Sequence, residues 1–161
     1  MTVHLTLSGR SIPFTLPQGF IDDRGEVHRD GLMRPATGQD ELMAQQRIQE
    51  SGVPAFSIFS RLSQVVLQLG AIAPTPAIIE QLFLPDFAYL ISLYNQLNPK
   101  EAAVSMTVTM GGYPLEQLYQ EVAFIAMHFH WSRQEILNLE HRERQQWVRE
   151  IARLLMQSQA S

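Results

Sequence analysis

Residues 53–70 read VPAFSIFSRLSQVVLQLG, and their spacing decides the fold. Apolar side chains fall at 55, 58, 59, 62, 65, 66 and 69, the i, i+3, i+4, i+7 stripe of a buried helix face. Pro54 suits a first helical turn, where its missing N–H costs nothing, and Gly70 supplies the stop. This stretch therefore predicts a helix from Pro54 to Leu69. Beyond it, Thr75-Pro76 is an N-cap followed by proline at the first helical position, opening a short helix through AIIEQLF. Pro85-Asp86 opens another, DFAYLISLYNQLN, which Asn98-Pro99 ends. Before it, helical signals begin near Gln39 and are sparse, with Leu42, Met43 and Ile48.

Further toward the N-terminus the period changes. VHLTLS (3–8) alternates Val3, Leu5 and Leu7 against His4, Thr6 and Ser8; after Gly9-Arg10, Ile12, Phe14 and Leu16 share a face. Two alternating runs around a short connection predict a β-hairpin, with Pro13 on an edge strand. Residues 18–37, QGFIDDRGEVHRDGLMRPAT, hold three glycines and no sustained apolar period. They predict turns, with a short extended piece at Glu26–His28.

PKEAAVSMTVTMGG (99–112) is the natural boundary, since Pro99 stops a helix and Gly111-Gly112 frees the backbone. Pro114 restarts the pattern, and 115, 118, 122, 125 and 129 trace an apolar seam flanked by Tyr119 and Ala126. Ser132 and Glu135 make an S-x-x-E capping box. A charged helix after Glu140 carries the stripe Trp147, Val148, Ile151, Leu154 and Leu155. The expected fold is mainly α, with an N-terminal β-hairpin, a helical body and a C-terminal helical module. Its expected divisions are 1–98, a linker at 99–112, and 113–161.

The 161 residues suffice for one domain or one with a small appendage, and 45% hydrophobic against 17% charged is the balance of a folded chain. The absence of cysteine excludes disulfides, Cys-ligated zinc and thiol catalysis. A net charge of −4 lacks the basic excess of a nucleic-acid binder. No apolar run reaches the roughly 18 residues of a membrane span, and MTVHLTLSGR lacks the pattern of an export signal. A cytoplasmic protein is expected. Every basic residue except Lys100 is arginine, which tolerates protein interfaces better than lysine.

Chemistry-bearing residues are few. His128, His130 and His141, with Glu121 or Glu140, offer a zinc reading, but residues two apart on a helix point to different faces. Glu140 and Arg144, at i, i+4, form a surface pair rather than part of an acid–base dyad. The acidic loop Asp22–Glu26 lacks the D-x-D-x-D spacing and closing Glu of a calcium loop. No nucleophile elbow, phosphate loop or helical H-E-x-x-H is present. No catalytic, cofactor or metal residues are expected, and a binding or assembly protein follows. Aromatic and Arg side chains favoured in interface hot spots gather in the C-terminal module: Tyr113, Tyr119, Trp131 and Trp147 beside Arg142, Arg144 and Arg149, with His130 and His141. The alternative for Trp131 and Trp147 is closing the core of a helical hairpin.

Two stretches carry a family resemblance. LPQGFIDDRGEVHRDGLMRPATGQDELM, then PAFSIFSRLSQVVLQLGAIAPTPAIIEQLFLPDFAYLISLYNQLN, resembles the small phage tail assembly protein of contractile phage tails and phage-tail-like contractile injection systems. GGYPLEQLYQEVAFIAMHFHWSRQEILNLEHRERQQWVREIARL is similar to a short module of the same gene clusters, marked by G-Y-P-x-x-x-L-Y-x-E-V-A, H-F-H-W and E-H-R-E-R-x-x-W. The resemblance implies a tail assembly chaperone that coats the tape-measure protein or recruits tail tube subunits before polymerisation, and allows a homo-oligomer. The rival expectation is a structural part retained at the baseplate or tube terminus; a small metal enzyme on the three histidines ranks last.

Overall fold

The computed structural model describes residues 11–99 and 114–159. The predicted strand at 3–8, most of the predicted linker at 99–112, and Tyr113 lie outside the described residues. The protein is mainly α, with a small antiparallel sheet at its N-terminal end and helices at its C-terminal end.

The sheet is larger than the sequence period suggests. Strands β1 (Ile12–Ile21), β2 (Val27–Met33) and β3 (Val66–Leu69) stand in the order β1-β2-β3. The stretch expected to be turns thus holds the last four residues of β1 and all of β2. Its signal is concealed because β2, VHRDGLM, buries only His28 and Met33 and never alternates apolar with polar. Gly31 is required in it: a Cβ there would run into the Phe14 ring and the Gln68 carbonyl of the neighbouring strands. The predicted long helix also divides. Helix α2 (Ala55–Val65) ends where Val66 turns extended, and Val66–Leu69 pairs with β2 through Met33↔Val66 and Gly31↔Leu69. Gly70, at φ 57°, ends the strand rather than a helix.

The β1–β2 ladder shifts register between Thr15 and Phe20, around Pro17 and Gly19 (φ 98°). There Asp86, fully buried in the first turn of α4 (Leu84–Leu97), accepts the N–H of Gln18 at 2.7 Å and of Gly19 at 3.0 Å. A buried carboxylate thereby replaces the ladder bonds that the irregularity forfeits.

Helix α1 (Gly38–Ser51) opens with a capping box: Thr37 accepts from Asp40 N, and Asp40 accepts from Thr37 N. Arg34 clamps the same carboxylate at 2.7 and 2.9 Å and reaches Gln64 O at 3.0 Å. Asp40 thereby holds the guanidinium more firmly charged, its pKa raised above the ordinary arginine value. The short α3 (Pro76–Glu80) has the predicted Thr75 cap and Pro76 start.

Helices α5 (Leu115–Phe129), α6 (Arg133–Leu137) and α7 (His141–Gln159) form the C-terminal part. The predicted capping box is present, with Ser132 and Glu135 each accepting the other's backbone N–H. Two apolar cores result. One joins Phe14, Leu16, Met33, Leu62, Val65, Leu69 and Leu90 of the sheet and body. The other joins Leu118, Val122, Ile125, Ile136, Leu137 and Ile151, so the apolar seam of α5 is satisfied within the chain. Helix α1 stands between them, packed along α2 and touching α5 and α6, and Thr37 bridges to Glu140.

Candidate partner-binding surface and the ion network beneath it

The chain leaves α5 at His130, which takes the left-handed conformation (φ 57°) and returns its N–H to Ala126 O at 2.9 Å. Glycine usually fills such a cap, and histidine is one of the few other residue types enriched there. The reversal carries Trp131 against Phe129 (centroids 5.3 Å apart) and Trp147 of α7 (5.6 Å). Phe129 and Trp147 meet edge-on at 5.5 Å and 89°. Such edge-to-face pairs add about 0.5–1.5 kcal/mol each beyond their buried area. Trp131 remains 36% exposed and Trp147 is half-buried, so the aromatic cluster closes the helical core while showing one side to solvent.

Of the other expected partner contacts, Tyr119 is exposed on α5, and Arg142 and Arg149 are exposed on α7. His141 and Arg144 are not. Arg144 is 0% exposed, which corrects its expected place on the solvated helix face. Its Nε donates to Glu121 Oε2 of α5 at 2.7 Å, its Nη1 to Leu139 O at 3.3 Å, and its Nη2 to His141 Nδ1 at 2.7 Å. A guanidinium only donates, so Nδ1 accepts and the imidazole proton sits on Nε2. That nitrogen lies 3.7 Å from Glu41 Oε1 on α1.

Glu41 is the other pole. Its Oε2 accepts from Arg61 Nε of α2 at 3.0 Å, and its Oε1 accepts from the Tyr94 hydroxyl of α4 at 3.3 Å. Burial, and next the Glu41 charge, pushes the Tyr94 phenol well above its ordinary value of 10.0. Two carboxylates and two guanidiniums, all buried, thus run from the helical body through His141 into the C-terminal helices. The ion pairs Glu41–Arg61 and Arg144–Glu121 each lie within one part, and His141 Nε2, 3.7 Å from Glu41 Oε1, brings the two pairs together. Glu41, Arg61 and Tyr94 are not among the expected residues, and Glu121 enters there only as a zinc ligand, although Glu121 adjoins the α5 seam and Arg61 lies inside the apolar stripe of α2.

The expected stripe on α7 is also only partly covered. Ile151 is buried, whereas Leu154 and Leu155 are exposed; Met156, off the stripe, is exposed by 73%. Nineteen residues span about 28 Å, and the last two turns of α7 extend past the second core. On α5, Tyr119 and Met127 add exposed apolar area.

The three C-terminal histidines do not form a common site: His128 Nδ1 lies 2.8 Å from Phe124 O, His130 caps α5, and His141 sits under Arg144. Among the described residues, ligand atoms converge instead at the β1–β2 turn, where those of Asp22, Glu26 and His28 lie within 4.8 Å of one another. No helix among the described residues is long and apolar enough to cross a membrane.

Residues 109–159 match the model of DUF6760, a family of unknown function. The match spans α5, α6 and α7 whole, so the aromatic cluster, Glu121, His141 and Arg144 fall inside it and Glu41 outside. No curated protein and no solved structure matches the chain.

Proposed function

We propose that this chain is a non-catalytic assembly factor for a contractile phage-tail-like particle, acting in the cytoplasm on tape-measure or tail tube subunits before they polymerise. The observation carrying this reading is the apolar end of α7, where Leu154 and Leu155 continue the buried stripe of Ile151 into solvent, with Met156 exposed on the adjoining face. A helix offering such a stripe beside a partly exposed aromatic cluster suits a helical partner, read through contacts at i, i+3, i+4 and i+7. A tape-measure chain, long, helical and apolar on one side until enclosed, has that chemistry. Trp131, Trp147, Tyr119, Arg142 and Arg149 remain the proposed contacts on this surface. His141 and Arg144 support it from beneath by fixing α7 on α5 and α1. The charged groups of the network are tied to one another inside the protein, an arrangement suited to structure more than to acid–base turnover.

Quantitative mass spectrometry of purified particles beside the lysate that produced them tests this. A factor that leaves is abundant in the lysate and missing from the particle. A small fixed copy number per particle overturns the reading in favour of a structural part at the baseplate or tube terminus.

A further inference from the structure

We propose that the tip of the β1–β2 hairpin is a binding site for a divalent transition-metal ion of the zinc and nickel class, held by Asp22, Glu26 and His28. The ligand atoms of these three residues lie within 4.8 Å of one another, and Asp22 Oδ2 and His28 Nε2 are 3.0 Å apart. Tetrahedral ligands about 2.0–2.2 Å from one ion stand about 3.3–3.6 Å apart, so this hydrogen-bonded pair has to open by only a few tenths of an ångström to take an ion. Rotation of the exposed Glu26 side chain supplies the third ligand, and the open side of the turn leaves room for water.

Two of the three ligands are fixed by the fold. His28 is 5% exposed, with the Phe20 ring 6.5 Å away and the Gly70 backbone so close that a Cβ there would run into His28 Nδ1. Asp22 Oδ1 accepts from the N–H groups of Arg24 and Glu26, both at 2.9 Å, which leaves Oδ2 turned toward His28.

The charge balance points the same way. Two carboxylates converge here; Arg29 on β2 is directed elsewhere, giving its Nε to Leu16 O at 3.0 Å and its Nη2 to Pro17 O at 2.7 Å, and Arg24, in the turn itself, reaches Asp22 through its backbone N–H. Among the described residues Glu26 has no ion-pair partner, and Asp22 has only His28. One imidazole nitrogen with two carboxylate oxygens suits zinc, nickel or cobalt, whereas calcium takes six to eight oxygens.

Calorimetric titration of the full chain with zinc, nickel and calcium chlorides tests the site, beside Glu26→Gln and Asp22→Asn. Asparagine keeps the side-chain oxygen that holds the turn, and Glu26 is exposed, so both variants should fold, with far-UV circular dichroism as the check. The expected result is saturable zinc and nickel binding, calcium at least 100-fold weaker, and at least tenfold weaker zinc binding in each variant. No zinc binding at millimolar concentration overturns the proposal. So does an unchanged affinity in either variant, which would put the ion elsewhere, or binding of calcium as tight as zinc. None of these outcomes bears on the assembly function.

Discussion

The Tyr94 hydroxyl donates to Glu41 Oε1 at 3.3 Å from within the helical body, where burial favours the neutral phenol. Its pKa is therefore higher folded than unfolded. The folded state keeps its proton above pH 10 while the unfolded state loses it, so stability is full below pH 10 and falls as pH rises beyond it. One group coupled in this way costs up to about 1.4 kcal/mol per pH unit. Tyr94→Phe should flatten that alkaline loss while costing about 1 kcal/mol near neutrality for the missing hydrogen bond. Urea unfolding from pH 8 to 11 measures both; parallel curves for the two proteins would place the titrating group elsewhere. Arg144 shows what single residues disclose in sequence. Its pairing with Glu121 spans 23 positions and leaves no local trace, so Glu140 at i, i+4 is the partner that periodicity offers. Yet Arg144, Trp147, Val148 and Ile151 are themselves i, i+3, i+4 and i+7. The helical phase placed Arg144 on the buried stripe, and only its charge argued otherwise.

Helix ends were legible because caps are local. Thr75-Pro76, Ser132 with Glu135, and the start near Gln39 each stand where the sequence puts them. Strands β2 and β3 were not, because their partners are distant and their faces are not cleanly apolar. Val65, Val66 and Leu69 satisfy a helical stripe, and only pairing with β2 makes 66–69 extended. Packing between elements gives a sharper prediction. At the first residue of α1, a Cβ on Gly38 would lie 2.9 Å from Leu118 Cδ1, 3.1 Å from Leu137 Cδ2 and 3.1 Å from Arg144 Nη1. Those atoms belong to three different C-terminal helices, so they have little freedom to give way together. Gly38→Ala should therefore destabilise the protein by about 1–3 kcal/mol through overpacking, despite the better helix propensity of alanine. The melting temperature should fall by several degrees, on the order of 2–4 °C for each kcal/mol. An unchanged or higher melting temperature would mean that α1 does not seat on α5–α7 this closely.

Across the described residues, one apolar cluster is built before residue 99 and the other chiefly after residue 114. The two apolar clusters are separate, and α1 stands between them with both kinds of contact: Leu42 packs on the second cluster, while Glu41 reaches Arg61 and Tyr94 on one side and His141 on the other. Hydrophobic patterning finds the apolar stripes that build each cluster and is blind to the polar bridge, whose partners lie far apart in the chain. Both tryptophans, Trp131 and Trp147, lie in the C-terminal helices, so their fluorescence reports that part alone while far-UV circular dichroism reports the whole chain. If the buried bridge couples the parts, thermal unfolding followed by the two signals should give one midpoint. Glu41→Ala leaves Arg61 without its buried counter-ion and should cost about 3–5 kcal/mol. Because Glu41 also faces His141, that loss should reach the tryptophans and lower both midpoints together. A fluorescence midpoint that holds while the circular dichroism midpoint falls would mean that α5–α7 folds independently. In that event the α7 surface could be presented without the body, and partner binding would survive Glu41→Ala at temperatures where the body has unfolded.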